Sequence, residues 1–218
     1  MVLTSESSAA AMEASASAGN GAERTRQIVN AAYDLLDEEG LEGLTIRAVL
    51  SRTGLSRRAF YERFVGKDDL VLAVFEQTLR DAARLFGEQA RALPGPMERL
   101  ELIVTSIVVG RGTESEASDR RGAALSREHL RLGESRPVEL QLAVQPLVML
   151  IADQLADGMK TGCVREYDPQ RLAALVYNLV SSTTHMELLI EELSRPDPKR
   201  RHELAAEIWE FCRRAIAA

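Results

Sequence analysis

The chain has 218 residues, 45% hydrophobic and 28% charged, with a formal net charge of −6, the ordinary balance of a globular protein of one large or two modest domains. No run of 18 or more uninterrupted apolar residues offers a membrane span. The N-terminus carries Glu6 and Glu13 with no Lys or Arg before Arg24, unlike a secretory signal, and Cys163 and Cys212 lie too far apart for a ligand pair. The expectation is a cytoplasmic protein with no membrane association, metal or cofactor.

Residues 1–21, rich in Ser, Ala and Gly, have little to bury and read as a disordered arm. From Arg24 the pattern is helical, with Ile28, Ala32, Leu35 and Leu36 on one face and Gly40 as a stop. Thr45 can cap a short second helix, "IRAVLSRT", that Gly54 ends. Ser56 can cap a third, reaching about Arg63. A long helix follows from Lys67 to about Ala90, with Leu70, Val71, Val74, Phe75, Leu79, Ala82 and Phe86 as its buried stripe. "LPGP" at 93–96 stops it, and another helix runs from near Met97 to about Gly110.

The polar stretch "GTESEASDR" at 112–120 separates that helix from "RGAALSREHLRL". Pro137 then starts a longer apolar helix, which the interior Pro146 should bend. Asp168 and Pro169 begin the next helix. It carries Leu172, Val176, Leu179, Thr183, Met186, Ile190 and Leu193 at intervals of four and three, a heptad-like seam. A last helix repeats that seam at Leu204, Ile208, Phe211 and Ala215. No strand alternation and no repeat period is visible, so the fold class is all-α, with about nine helices.

Between Thr45 and Lys67 the cations Arg47, Arg52, Arg57, Arg58, Arg63 and Lys67 face a single acid, Glu62. Such a run is often a solvated face, but here it coincides with three helices whose last two join at "TGLS", a helix-turn-helix. A recognition helix buries one side against its own domain and sends the other into the major groove. Phe60 and Phe64, four apart, supply the buried side. Arg57, Arg58 and Tyr61 then project outward, and an arginine fork suits guanine edges and phosphates. Lys67 opens the following helix, where its ammonium and the free amides can both attract a phosphate.

"LTIRAVLSRTGLSRRAFYERFVGKDDLVLAVFE", residues 44–76, resembles the DNA-binding region of the TetR family of bacterial transcription regulators. The likeness rests on a Thr opening the second helix, a Gly-apolar-Ser turn, an aromatic pair, then Phe and Lys before a Leu-rich helix. It implies a helix-turn-helix DNA-binding domain at 22–66, a connecting helix at 67–90 that can act as a lever, and a ligand-binding and dimerisation domain at 91–218. It also implies repression of double-stranded DNA targets relieved by a small molecule. Thr45, Ser56, Tyr61, Arg63 and Lys67 correspond to positions that meet the phosphate backbone, and Arg47, Arg57, Arg58 and Ala59 to positions that face bases. Arg58 stands where many relatives have Gly and Arg63 where many have His, so no relative's operator carries over.

A two-fold operator needs a dimer to space two recognition helices about one DNA turn apart, ~34 Å. The seams of the last two helices, Leu172, Val176, Leu179, Thr183, Met186, Ile190, Leu204, Ile208 and Phe211, would form a four-helix bundle with their copies; the same stripes could instead face their own core. An effector site is expected among the apolar helices from Met97 to Leu193. Thr105, His129, Tyr177, Thr184 and His185 are the polar groups there that need partners, which suits a small hydrophobic molecule. Neither His185 with Glu187 nor His129 with Glu128 shares a helix face, so no metal is expected. Motifs for catalysis are missing, so an enzyme is not expected. A helical DNA-binding protein without an effector is the alternative.

Overall fold

The computed structural model describes residues 5–110, 116–191 and 198–218. Among them the chain forms nine helices: α1 Ser5–Gly43, α2 Ile46–Thr53, α3 Arg57–Tyr61, α4 Lys67–Ala90, α5 Pro96–Val109, α6 Glu116–Ser135, α7 Pro137–Lys160, α8 Pro169–Glu191 and α9 Pro198–Ile216. The architecture is all-α, as the periodicity requires. The chain divides into two compact units, one ending at Val74 and one beginning at Phe75, so the division falls inside α4 rather than at its start.

In the first unit, α1 is helical from Ser5 onward and so includes most of the stretch read from composition as an arm. Alanine is the best helix former, and an Ala-rich stretch fused to a folded helix has no nucleation step left to make. Gly40, with φ 69° and ψ −161°, interrupts α1 one turn before its end. Its apolar face buries Ile28, Ala32, Leu35 and Leu36, and α1 packs against α2. Val49, Phe60, Phe64, Leu70, Val71 and Val74 complete this small core.

In the second unit, α5 lies against α7, α8 and α9, and α6 against α7 and α8. α6 begins at Glu116, so the second half of the expected polar separator is helical, while 112–115 lie outside the described residues. α7 is long and apolar enough by composition to cross a membrane. It buries Leu140, Ala143, Leu147, Ile151 and Leu155 among its neighbours, as a core helix does. It also runs through Pro146 as one continuous helix.

The Asp168 cap is realised, its Oδ1 accepting from the amides of Gln170 (2.9 Å) and Arg171 (3.2 Å). The loop before it is clasped by the chain's last residues. Val164 pairs with Ala217 in an isolated antiparallel bridge, the Arg165 amide donates to the Ile216 carbonyl (3.0 Å), and that of Ala218 to Cys163 (3.3 Å).

Candidate functional site

The turn between α2 and α3 is set by three residues. Thr45 Oγ1 caps α2 by accepting from the Ala48 amide at 3.1 Å. Gly54 adopts the left-handed conformation, φ 68°, and donates to the Leu50 carbonyl at 3.0 Å, a geometry that penalises any residue with a Cβ. Ser56 Oγ then caps α3 through the Ala59 amide at 3.2 Å. The expected third helix is shorter than its reading to Arg63, closing at Tyr61.

Phe60 and Phe64 are buried with ring centres 5.3 Å apart, and Tyr61 meets Phe60 edge-on at 5.3 Å while staying 54% exposed. This anchors one side of α3 and leaves Ser56, Arg57, Arg58 and Tyr61 on the other. The six cations of the segment divide by partner. Arg47 and Arg57 are exposed, with no side-chain hydrogen bond or ion pair to any described residue. Arg58 is exposed but bridges Glu62 one turn on, at 3.1 Å; that hydrogen bond chiefly holds the Glu62 carboxyl below the usual carboxylate range. Arg52 forks onto Glu38 of α1 at 3.0 and 2.6 Å.

The remaining two are turned inward. Arg63 Nε donates to the Gly21 carbonyl at 3.0 Å and Nη1 to the Ala59 carbonyl at 3.2 Å, leaving its side chain 18% exposed. Lys67 Nζ donates to the Leu41 carbonyl at 3.1 Å. Ala59, expected to face bases, is buried. Ala59 stands next to Phe60 on a five-residue helix and shares its buried side. The outward surface is therefore narrower than the sequence implied: Thr45, Arg47, Ser56, Arg57, Arg58 and Tyr61.

In the second unit, the five polar residues expected around an effector do not form one cluster. Thr105 Oγ1 donates to the Glu101 carbonyl at 2.7 Å. It lines a groove of about 370 Å³ with Phe86, Gln89 and His202, which neither His129 nor His185 borders. Tyr177 is buried, and burial pushes its hydroxyl pKa up. Thr184, also buried, donates to the Val180 carbonyl at 2.8 Å. His129 of α6 and His185 of α8 do come together, with ring centres 4.3 Å apart, and Phe75 of α4 lies 5.6 Å from the His129 ring. Nothing local in the sequence reveals that α6 and α8 bring the two rings together, tilted by 51°.

The expected dimer seam is divided as well. Leu172, Val176 and Ile208 are buried in their own unit, and Leu204 and Thr183 are half-buried. Leu179, Met186, Ile190 and Phe211 are exposed and are joined by Leu175, which lies outside the heptad positions. The exposed stripe of α8 is thus rotated from the heptad reading toward Leu175, because Leu172 and Val176 fill the space against α5 and α7. Leu193 lies outside the described residues. Among the described residues no three metal-ligating side chains gather.

Comparison with known proteins bears on the first unit directly. A family described as bacterial regulatory proteins, tetR family, matches residues 28–74. The HTH-type transcriptional repressor Rv1474c of Mycobacterium tuberculosis is 27% identical over 169 residues, covering 71% of this chain and 90% of that protein. A TetR-family transcriptional regulator of Pectobacterium atrosepticum superposes with a TM-score of 0.71 at 18% identity, over 92% of this chain and 97% of that one. The regulator FadR of Bacillus subtilis, crystallised in complex with stearoyl-CoA, does so with 0.65 at 15% identity, over 86% and 96%. The family match lies within the first unit, while the two structural likenesses reach across both.

Proposed function

We propose that this chain is a regulator of the TetR family, a cytoplasmic repressor that binds a two-fold operator as a homodimer and is released by a small hydrophobic effector. The observation that carries the DNA-binding part is the exposed pair Arg47 and Arg57, without intramolecular partners, beside a helix face fixed by two buried phenylalanines. Arg57 and Arg58 read base edges. Arg47 contributes from α2, and Thr45, Ser56 and Tyr61 hold phosphates. Lys67 reaches a phosphate by exchanging the Leu41 carbonyl for it. The hydrophobic class of effector is supported by the apolar helices of the second unit and by the fold it shares with a regulator crystallised with stearoyl-CoA.

Mobility shift on the protein's own upstream region, over a salt series, tests this. Arg57→Ala with Arg58→Ala should abolish discrimination between operator and unrelated duplex, because each good bidentate base contact is worth roughly 1–3 kcal/mol. Selectivity equal to that of the unaltered protein would remove these arginines from the reading surface.

A further inference from the structure

The histidine pair of the second unit has a feature that packing alone leaves unexplained. Nδ1 of His129 and Nδ1 of His185 are both buried, and neither has a hydrogen-bond partner among the described residues. A buried polar atom left unpaired costs roughly 1–3 kcal/mol, and native structures hold few of them. Two such atoms on adjacent rings, from different helices, mark a place where the resting protein forgoes stability. Burial lowers the pKa of both rings, and for His185, held down to about 3, the neighbouring His129 adds to the effect. Among the described residues no carboxylate contributes to either lowering. A neutral imidazole offers one donor and one acceptor, assigned to its two nitrogens by the tautomer. The pair can therefore present a donor beside an acceptor. Phe75 closes the His129 side with an apolar ring, and no third metal ligand joins the pair among the described residues.

We propose that His129 and His185 together bind the polar group of the effector, and that this group is an uncharged hydroxyl or carbonyl on an otherwise apolar molecule. The inference rests on the reading of the second unit as an effector domain and specifies its ligand class. A carboxylate could accept from two Nδ1–H groups, but it would lose its water for two neutral rings, a desolvation cost that an uncharged group is spared. A purely apolar ligand would leave both nitrogens unpaired.

The test uses the full chain labelled with 15N-histidine, titrated with 4-butylphenol, butylbenzene, 4-butylbenzoate and zinc. The expected result is that 4-butylphenol shifts the imidazole resonances of both His129 and His185. It should also bind at least about tenfold more tightly than butylbenzene or 4-butylbenzoate, the scale of one net hydrogen bond. In the His129→Leu, His185→Leu variant that preference should vanish and the melting temperature should rise, since two unpaired polar groups are gone. Equal affinity for the phenol and butylbenzene, unmoved histidine resonances, or a response to zinc or 4-butylbenzoate instead, would each overturn the proposal. If the phenol binds at the pair but never weakens operator binding, the effector reading fails while the site stands. If the resonances stay still while another small molecule releases the operator, the site fails while the regulator reading stands.

Discussion

Arg57 and Arg63 carry the same charge within one short segment, yet their surroundings assign them different work. Arg57 has no partner within the described residues, whereas Arg63 ties the carbonyl of Gly21 to that of Ala59. Arg63→Ala is expected to lower stability by about 1–2 kcal/mol, the scale of the hydrogen bonds it removes, with little change in how DNA affinity depends on salt. Calorimetry and a salt titration on the same variant separate the two effects. A second residue-scale expectation concerns pH. His185, held by burial to about 3 in the folded chain against the ordinary 6.5 of an imidazole, binds its proton more readily when unfolded. Stability is therefore full above about 6.5 and falls as pH drops toward 3, by at most about 1.4 kcal/mol per pH unit for one group. His185→Leu should flatten that part of the stability profile relative to the parent, as followed by denaturant melts at successive pH values.

At the scale of elements, the caps and turns were legible because they are local. Thr45, Gly54, Ser56 and Asp168 act through backbone groups within a few residues of themselves, and each lies where its residue type requires. Gly54→Ala, forcing a Cβ into a φ of 68°, is expected to cost about 1 kcal/mol, the usual penalty of the left-handed conformation, seen as a lower melting temperature. The faces of α8 and α9 were only partly legible. A heptad-like interval fixes which residues share a side but not where the core ends and the surface begins, and that limit is set by α5 and α7 far away in sequence. Leu179→Glu with Phe211→Glu, both on the exposed stripe, should yield a folded monomer in light scattering. Leu172→Glu, which puts a charge into the core of its own unit, should instead unfold the domain, with circular dichroism losing its helical signal.

For the whole molecule, the acidic balance of −6 and a basic DNA-reading surface are compatible, because affinity depends on where cations stand rather than on their sum. Arg52 and Arg58 are already bridged to glutamates, and Arg63 and Lys67 to carbonyls. Few charges per protomer are left for phosphates, so a dimer should show a modest slope of log affinity against log salt, roughly −4 to −8 at about 0.9 per phosphate neutralised. A filter-binding series at several salt concentrations gives that slope directly, and a value near zero would deny phosphate contact altogether. The all-α fold and the DNA-binding segment could be read in advance because both are written in periodicity and short spacings. The histidine pair could not, since it depends on how two helices separated in sequence by the whole of α7 come to lie together.

The strap at the end of the chain carries a consequence for assembly. By hydrogen-bonding the segment that leads into α8, residues 216–218 hold the tail of α9 at the start of α8, while α5 packs against both helices. If two copies pair through α8 and α9 as proposed, each brings ends already tied together, and little freedom is left to surrender when they meet. Association should be quick and should survive dilution, whereas trimming those last residues would loosen the pair and let the dimer fall apart at concentrations where the full chain stays joined.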